Sequence, residues 1–250
     1  MDATAFIIGN GESRLQYPIE KLKYQGTVYG CNAIYRDYPH LCDNIMAVDP
    51  PMHSELLHAK KTRRLTFKLL SDKDVEDWDY TIPGESLKKG KPRELTYWHN
   101  YKRGKKHVEH KVKDFRKTKG SGCSAVFHAA LQGYTKIIML GFDIIGNLQR
   151  EGQEISHRLY NNVYKNTMHY PVRASQKTYL QFEWLFQLTQ TFKRFPEVDF
   201  FLFTSKNYLD HNNKYKLYFD TAPRNIRCGD YSQLDQMLNG DADYINWIYY

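Results

Sequence analysis

Short apolar runs recur along the chain and alternate with longer segments in which apolar residues are spaced as in helices. The runs cover residues 5–8, 27–31, 44–48, 136–140 and 198–203. Continuous apolar stretches inside the last two runs are typical of strands that are buried on both faces of a parallel sheet. Helical spacing predicts helices over 121–132 and 175–194. The pattern therefore predicts an α/β fold, with a mostly parallel sheet and helices on both faces.

Two long segments interrupt this alternation. Over about 59–118 the periodicity fades and glycines and prolines recur, so we predict an insertion there. Residues of about 144–174 follow the predicted strand 136–140, and we predict a lid-like excursion at its carboxyl end, where parallel sheets bind ligands. We predict one domain over 1–250 that contains both segments. The aromatic tail after residue 208 is predicted to be irregular.

The net charge of +8 is concentrated in one place. Residues 88–119 contain thirteen lysines and arginines but only three acids, and aromatic residues are interleaved with them. Such a segment can attract nucleic acid or polyphosphate, although a solvated surface insertion has the same composition. The residues expected to contact nucleic acid are Lys102, Arg103, Lys105 and Lys106.

Composition also bears on where the protein is found. No apolar stretch is long enough to span a bilayer, and the chain starts without a basic-then-apolar leader. We therefore expect no membrane span and a cytoplasmic location, in the host cytoplasm if the source is viral. The four cysteines are scattered without a Cys-x-x-Cys pair, so we expect buried, reduced thiols.

The first apolar run ends in the segment Gly9-Asn10-Gly11-Glu12-Ser13. Glycines let the backbone approach a ligand closely, and Ser13 is placed to cap a following helix whose free N–H groups attract an anion. Tight turns of this composition also occur for geometric reasons alone. We interpret the segment as a candidate phosphate-binding loop for a nucleotide.

Two further short motifs follow near later predicted strands. Asn32 comes directly after the run 27–31, and Ser121-Gly122 begins the predicted helix that leads to the run 136–140 and to Asp143. Asparagine can donate and accept hydrogen bonds to ribose and base edges, and a hydroxyl at a helix start lies beside free amides. A nucleotide is therefore expected to lie across several strand ends.

In order and spacing these motifs resemble the metal-independent bacterial sialyltransferases that use CMP-sugar donors, and the related MptE-type pterin pyrophosphokinases. The resemblance covers about 1–50 and 118–205, and it implies a Rossmann-like fold. It also implies a set of nucleotide-binding residues, namely Gly9, Asn10, Gly11, Ser13, Asn32, Ser121, Gly122 and Asp143.

The candidate catalytic residues lie where the chain departs from that family. The family's His-Ser pair ahead of the last crossover helix is Ala174-Ser175 here. A neutral imidazole is suited to taking a hydroxyl proton, so His169 is the first candidate for a general base and His157 the second. Tyr160 is a candidate hydrogen-bond donor to the leaving phosphate, and Arg173 is a candidate to neutralise it. Further candidates of the same types are Arg158, Tyr164 and Tyr170.

Metal binding is not predicted. Many nucleotide-sugar transferases hold Mg²⁺ or Mn²⁺ beside the diphosphate with an Asp-x-Asp pair that follows a strand. The three such pairs here, at 72–74, 77–79 and 241–243, follow no predicted core strand. Asp49 follows the run 44–48 and is the carboxylate expected to contact a ribose or a metal. We predict metal-independent catalysis without a resident cofactor, the nucleotide-sugar being a co-substrate.

The leading hypothesis is a glycosyltransferase that moves a sugar from a nucleotide-sugar donor to a hydroxyl acceptor. The basic insertion allows modified DNA as the acceptor, which an enzyme would have to present as a single strand or a flipped base. One alternative is a Mg²⁺-dependent pyrophosphokinase that transfers diphosphate from ATP to a small alcohol. The other is a nucleic-acid-binding protein that keeps a nucleotide fold without its catalysis.

Overall fold

A computed structural model describes residues 3–71, 80–81, 94–99, 108–113, 120–143, 162–164, 167–170, 179–206 and 224–240. Its strands are β1 (Thr4–Ile8), β2 (Thr27–Cys31), β3 (Asn44–Met46), β4 (Lys68–Ser71), β5 (Tyr80–Thr81), β6 (Glu94–His99), β7 (Val108–Lys113), β8 (Lys136–Leu140), β9 (Asp199–Thr204) and β10 (Ile226–Asp230). Its α-helices are α1 (Pro50–Arg63), α2 (Ser121–Leu131), α3 (Tyr179–Arg194) and α4 (Tyr231–Leu238). Three short 3₁₀ helices are η1 (Glu12–Gln16), η2 (Ile19–Leu22) and η3 (Asn32–Arg36). None of the helices in these ranges is both long and apolar enough to cross a membrane.

Eight strands form one sheet in the order β10-β9-β8-β1-β2-β3-β4-β5, and all neighbours run parallel. From β1 the chain adds β2 to β5 on one side, and it later places β8, β9 and β10 on the other side. The direction of strand addition therefore reverses between β1 and β8. Parallel sheets bind ligands at such a switch point, outside the carboxyl ends of the strands. The predicted α/β fold with a parallel sheet is confirmed.

Alternate residues of the central strands fill two separate cores. In β1, Ala5 and Ile7 belong to the core under α2 and α3, whereas Phe6 and Ile8 belong to the core that includes η2, η3, α1 and α4. β8 and β9 alternate between the same two cores. Because both faces are buried, these strands contain continuous apolar runs after a polar first residue, and this is why their positions could be predicted.

The predicted boundaries agree closely with the structure in the centre of the sheet. β2 and β8 begin and end at the predicted residues, and α2 ends at Leu131, one residue before the predicted end. β3 ends at Met46, two residues before the predicted end of that run. α3 is described from Tyr179, and residues 171–178 lie outside the described ranges.

The predicted insertion begins too early. α1 continues to Arg63, and β4 pairs with β3 while β5 pairs with β4, so residues 59–71 and 80–81 belong to the body of the fold. α1 was missed because its buried Met52, Leu56 and Ala59 are outnumbered by polar residues. β4 has only four residues, too few for a clear strand pattern.

The prediction of an irregular tail is wrong for residues 226–238. β10 adds to the edge of the sheet beside β9, and α4 follows it directly. Asp230 accepts hydrogen bonds from the backbone of Ser232 and Gln233, and the Gln233 side chain accepts one from the backbone of Asp230. This reciprocal capping box was a readable signal for a helix start.

β6 and β7 form a two-stranded antiparallel sheet within the predicted insertion. Their pairing runs from Glu94 opposite Lys113 to His99 opposite Val108. Residues 100–107 therefore connect the paired strands, and they include the four basic residues expected to contact nucleic acid. Those four residues lie outside the described ranges.

Asn225 joins the end of α3 to the start of β9. Its Nδ2 lies 3.1 Å from Phe192 O in the last turn of α3, and 2.8 Å from Phe195 O and 3.0 Å from Val198 O, which follow the helix, so one amide serves three carbonyls. Carbonyls at a helix end need such partners because the helix itself provides none.

Replacing Asn225 with alanine should lower the free energy of unfolding by about 1–3 kcal/mol, since it removes the side-chain donor that these carbonyls share. Asn225→Asp, which keeps the size but loses the N–H groups, should cost a similar amount. Urea unfolding measures both, with exposed Asn239→Ala as the control. Equal stability of Asn225→Ala and the control would contradict this role.

Candidate functional site

The carboxyl ends of β1 and β8 are joined by backbone hydrogen bonds. Gly9 N donates to Leu140 O at 2.8 Å, and Gly11 N donates to Gly141 O at 2.8 Å. Ser13 continues the series, since its backbone N donates to Asp143 Oδ2 at 2.7 Å and its hydroxyl donates to Asp143 Oδ1. The loop after β1 is thus bonded to the protein's own chain at three amides.

The two glycines of this loop make room for the end of β8. A Cβ on Gly9 would overlap Gly141 O, and one on Gly11 would overlap the Asp143 carboxyl group. Neither glycine has a positive φ, so close approach and not a left-handed backbone requires them. Leu140 O, Gly141 O and Asp143 accept from the amides of Gly9, Gly11 and Ser13, so these three N–H groups are used within the protein. That the three residues bind a nucleotide stays a prediction.

Ser13 is also not a helix cap. The helix that follows the loop is the five-residue η1, its N-cap position is Gly11, and no side chain caps it. Ser13 instead lies inside η1, where its hydroxyl contacts Asp143 and lies 3.4 Å from the Tyr231 hydroxyl. Asp143 is therefore a partner of the loop, in the position where an anion was expected.

Burial raises the pKa of Asp143 from 3.8 to about 6. The two hydrogen bonds from Ser13 and the charge of Arg14 oppose this shift, and the nearby charge of Glu12 adds to it. The carboxylate is thus held at the switch point against the cost of taking a charge out of water.

Asn10, Asn32 and Ser121 are brought together at this edge of the sheet. Asn10 Nδ2 donates to Cys31 O at 3.0 Å, and Ser121 Oγ donates to Asn32 Oδ1 at 2.8 Å. Since Asn32 follows Cys31 directly, a connected series of contacts runs from the loop after β1, past the end of β2, to the start of α2. Asn32 has a φ of 51°, in the left-handed region that asparagine tolerates better than most residues.

The start of α2 is as predicted. Its N-cap is Gly120 and Ser121 is the first helical residue, with no side chain capping the helix. A Cβ on Gly122 would lie 3.0 Å from the Phe142 ring, which indicates a packing role for that glycine. The first N–H groups of α2 have no acceptor within the helix, and they lie beside the Ser121–Asn32 contact.

Arg14 lies under the loop and is 1% exposed. Its NH1 donates to Gly9 O and to Asn10 Oδ1, each at 3.0 Å, and its NH2 donates to the Tyr164 hydroxyl at 2.9 Å. Asp37 is the carboxylate nearest to it among the described residues, at 3.6 Å from NH2, and its side chain is 46% exposed. The switch point therefore carries a buried positive charge whose ion-pair partner, Asp37, is half exposed.

We call residues 162–170 the strap, of which 162–164 and 167–170 are described. Val163 N donates to Asn10 O at 2.8 Å, and the Tyr164 hydroxyl donates to Asp37 Oδ2 at 2.8 Å. Further along, Arg36 donates from NH1 to Thr167 Oγ1 at 2.9 Å and from NH2 to the Met168 carbonyl at 3.1 Å. The strap thus runs from the loop after β1 to the end of η3.

His169 lies at the far end of the strap, with a φ of 68°. Its Nε2 is 3.3 Å from Glu55 Oε2, and its side chain is 29% exposed. It forms no hydrogen bond with Asn10, Asn32 or Ser121. A non-glycine residue in this backbone region stores strain, which is found often at functional sites.

Glu55 is held as an anion beside that histidine. Arg36 donates to it from Nε at 2.8 Å and from NH2 at 2.7 Å, and the Tyr35 hydroxyl donates at 2.5 Å. Burial alone would raise the pKa of Glu55, but these hydrogen bonds and the charge of Arg36 lower it below 4.5. The carboxylate therefore stays ionised at neutral pH and faces His169.

Other predicted site residues are placed elsewhere. Asp49 is exposed at the N-cap of α1, where its carbonyl accepts from Met52 N and His53 N. Among the described residues, no three His, Cys, Asp or Glu side chains are grouped so that they could hold a metal ion. The candidate catalytic residues His157, Tyr160 and Arg173 lie outside the described ranges.

Sequence reasoning missed Arg14 and Glu55. Arg14 is the charged residue directly after the Gly9–Ser13 loop, and a basic side chain at that place was an available signal. Glu55 lies in α1, which was not predicted, so nothing in the sequence linked it to His169.

Comparison of the chain with protein-family models, curated proteins and solved structures gives no match.

Asp143→Asn should stabilise the protein at neutral pH relative to the wild type. The folded-state pKa of about 6 exceeds the ordinary 3.8, so the folded wild type binds this proton more tightly and loses stability as the pH rises from about 4 to 6. Asparagine keeps a partner for Ser13 and removes the charge. Between pH 4.5 and 7.5 the variant should gain about 2 kcal/mol over the wild type, since each pKa unit corresponds to about 1.4 kcal/mol.

The measurement is urea unfolding at several pH values, with Asp199→Asn as the control because that carboxylate is half exposed in a surface ion pair. The control should show no comparable trend. A difference between Asp143→Asn and the wild type that does not change with pH would contradict the burial of a charged Asp143.

Proposed function

We propose that this chain is a glycosyltransferase that moves a sugar from a nucleotide-sugar donor to a hydroxyl acceptor. The observation that supports it best is the series of contacts joining Asn10, Asn32 and Ser121 at the topological switch point. These three residues come from separate parts of the chain and were selected from the sequence as nucleotide ligands. Their convergence fits the resemblance to CMP-sugar sialyltransferases, which we retain as part of the proposal.

The hydrogen-bonding capacity of this edge favours a ligand rich in acceptors. Asn10 keeps its backbone N–H and one N–H of Nδ2 without an acceptor among the described residues, and Asn32 keeps its Nδ2. The first amides of α2 point to the same edge. Ribose hydroxyls, phosphate oxygens and the carbonyl of a pyrimidine are acceptors of this kind, and the buried charge of Arg14 favours an anion.

We propose His169 as the general base. In the transfer the acceptor oxygen forms a bond to the anomeric carbon, the bond from that carbon to the phosphate oxygen breaks, and the phosphate leaves with the electron pair. The proton of the acceptor hydroxyl passes to His169. Glu55 faces the imidazole and stabilises the imidazolium that results, as a carboxylate does beside a catalytic histidine.

A nucleic-acid acceptor is part of the proposal because of the β6–β7 hairpin. The register of these strands makes residues 100–107 the connection between them, and four of those eight residues are basic. Paired β-strands with basic residues are one way in which proteins enter a nucleic-acid groove. We also propose a cytoplasmic location, which suits the four free buried thiols.

A thermal-shift screen tests nucleotide binding. CMP, UDP, GDP, ADP and their sugars are added at equal concentrations, and one family of them should raise the melting temperature. A ligand at a hundred times its Kd adds about 2.7 kcal/mol to the stability of the folded state. Asn32→Ala should abolish the shift, whereas exposed Asn239→Ala should keep it. The absence of a shift with every nucleotide would refute the proposal.

Activity assays then separate the alternatives. Transfer predicts release of CMP or UDP from the sugar donor in the presence of a chelator, whereas the pyrophosphokinase hypothesis predicts dependence on ATP and Mg²⁺. Salt-dependent DNA binding without any nucleotide binding would favour the non-catalytic hypothesis.

His169→Ala should lower kcat by about a hundredfold or more if His169 accepts the proton, with little change in nucleotide affinity. The measurement is the initial rate of nucleotide release from the donor that the screen identifies. His40→Ala serves as the control, because His40 is exposed and lies outside the site. An unchanged rate would remove His169 from the reaction while leaving nucleotide binding intact.

A further inference from the structure

We infer that Arg14 is the positioning residue of this site: it holds the Asn10 carboxamide in the one orientation that offers an N–H to the ligand. The inference rests on the proposed function for the identity of the ligand. It adds a residue outside the motifs that carry the family resemblance, and it states what kind of atom the site accepts.

The orientation of Asn10 follows from its two neighbours. Arg14 NH1, a group that can only donate, lies 3.0 Å from one atom of the carboxamide, and the Cys31 carbonyl, which can only accept, lies 3.0 Å from the other. The atom facing Arg14 must therefore be Oδ1, and the atom facing Cys31 must be Nδ2. A flipped amide would place N–H against the guanidinium and oxygen against oxygen.

This arrangement leaves a donor for the ligand. Nδ2 has two hydrogens, and one is taken by the Cys31 carbonyl. The second has no acceptor among the described residues, and the backbone N–H of the same residue has none either. The site therefore favours an acceptor, such as a phosphate oxygen or a ribose hydroxyl, at the place where the loop after β1 meets the end of β2.

Arg14 itself is too buried to be the ligand's partner. It is 1% exposed and is held by Gly9 O, the Tyr164 hydroxyl and the rings of Tyr38 and Tyr164, which lie 5.9 and 5.3 Å from its guanidinium carbon. Apart from the long-range effect of its charge, Arg14 can therefore act on a ligand at the sheet edge only through the residues that it holds. Of the described residues to which Arg14 donates a hydrogen bond, Asn10 is the one that keeps donors without an acceptor there.

The burial of this side chain is also costly. Nε of Arg14 has no hydrogen-bond partner in the described part of the chain. A buried donor without a partner lowers stability, so the position is not explained by stability alone. Orienting the Asn10 side chain is a function that would account for a buried Arg14 at this expense in stability.

A double-mutant cycle tests the inference. Arg14→Met, Asn10→Ala and the double variant are compared with the wild type by isothermal titration with CMP, and with UDP if only UDP gave a thermal shift. Arg14→Met should weaken binding about tenfold, and it should cause no further loss when Asn10 is already alanine, because residues that act through one contact are not additive. Losses that multiply in the double variant would overturn the inference.

Asp37→Asn is the matched control. It removes the carboxylate partner of Arg14 but leaves the Asn10 contact, and the half-exposed position should tolerate the change. Its affinity should stay within about twofold of the wild type at fixed salt, since the Asn10 contact is retained. If Asp37→Asn changes affinity as much as Arg14→Met does, the net charge of the cluster and not the orientation of Asn10 controls binding, and the inference fails.

Two further measurements keep the test decisive. Arg14→Lys, which keeps the charge but lacks the planar fork, replaces Arg14→Met if that variant does not fold, and it should also weaken binding. The side-chain amide signals of Asn10 are followed by NMR in the unliganded protein, assigned by their loss in Asn10→Ala. One of the two protons should be protected from exchange in the wild type and lose protection in the Arg14 variant.

The NMR measurement on the Asn10 side-chain amide does not depend on nucleotide binding. If the wild type binds no nucleotide, the proposed function fails, yet loss of protection in the Arg14 variant would still support the role of Arg14 in holding Asn10. Unchanged Asn10 signals in that variant would overturn the inference whatever the nucleotide results are.

Discussion

The rest of the site depends on the hydrogen bonds that join the carboxyl ends of β1 and β8. They fix the loop from Gly9 to Ser13 against the end of the neighbouring strand, and the loop in turn places Asn10 beside the end of β2. Because these bonds use the amides of Gly9, Gly11 and Ser13 internally, the donors left at this edge among the described residues are the backbone N–H of Asn10, the side-chain amides of Asn10 and Asn32, and the first amides of α2. The reversal of strand order thus sets both the position of the site and the chemistry left for it.

A buried guanidinium connects this junction with the strap. Arg14 contacts the loop through Gly9 and Asn10 and the strap through Tyr164, while Tyr164 bonds Asp37 at the end of η3. In a low-dielectric surrounding such charge-assisted bonds are stronger than those in water. Loop, 3₁₀ helix and strap are therefore joined in one hydrogen-bonded network.

The sequence predicted the central sheet well because strands buried on both faces leave continuous apolar runs, as in β8. It also selected Asn10 and Asn32, since polar residues that follow strands of a parallel sheet share one edge, and Ser121, as a hydroxyl at the start of a predicted helix. The short β4 and the polar α1 were not predicted, because their burial depends on neighbours in the fold that no local sequence pattern reveals. The contacts of Asp143 and Glu55 escaped for the same reason, as Asp143 lies 130 residues from its partner Ser13.

The contact between Gly11 and Asp143 has an evolutionary consequence. A side chain at position 11 would occupy the space of the carboxyl group at position 143. Among relatives of this chain the two positions should therefore change together, with any larger residue at 11 accompanied by a shorter one at 143. A relative that keeps both residues should keep the same contact between the loop after β1 and the segment after β8, whatever substrate its other loops bind.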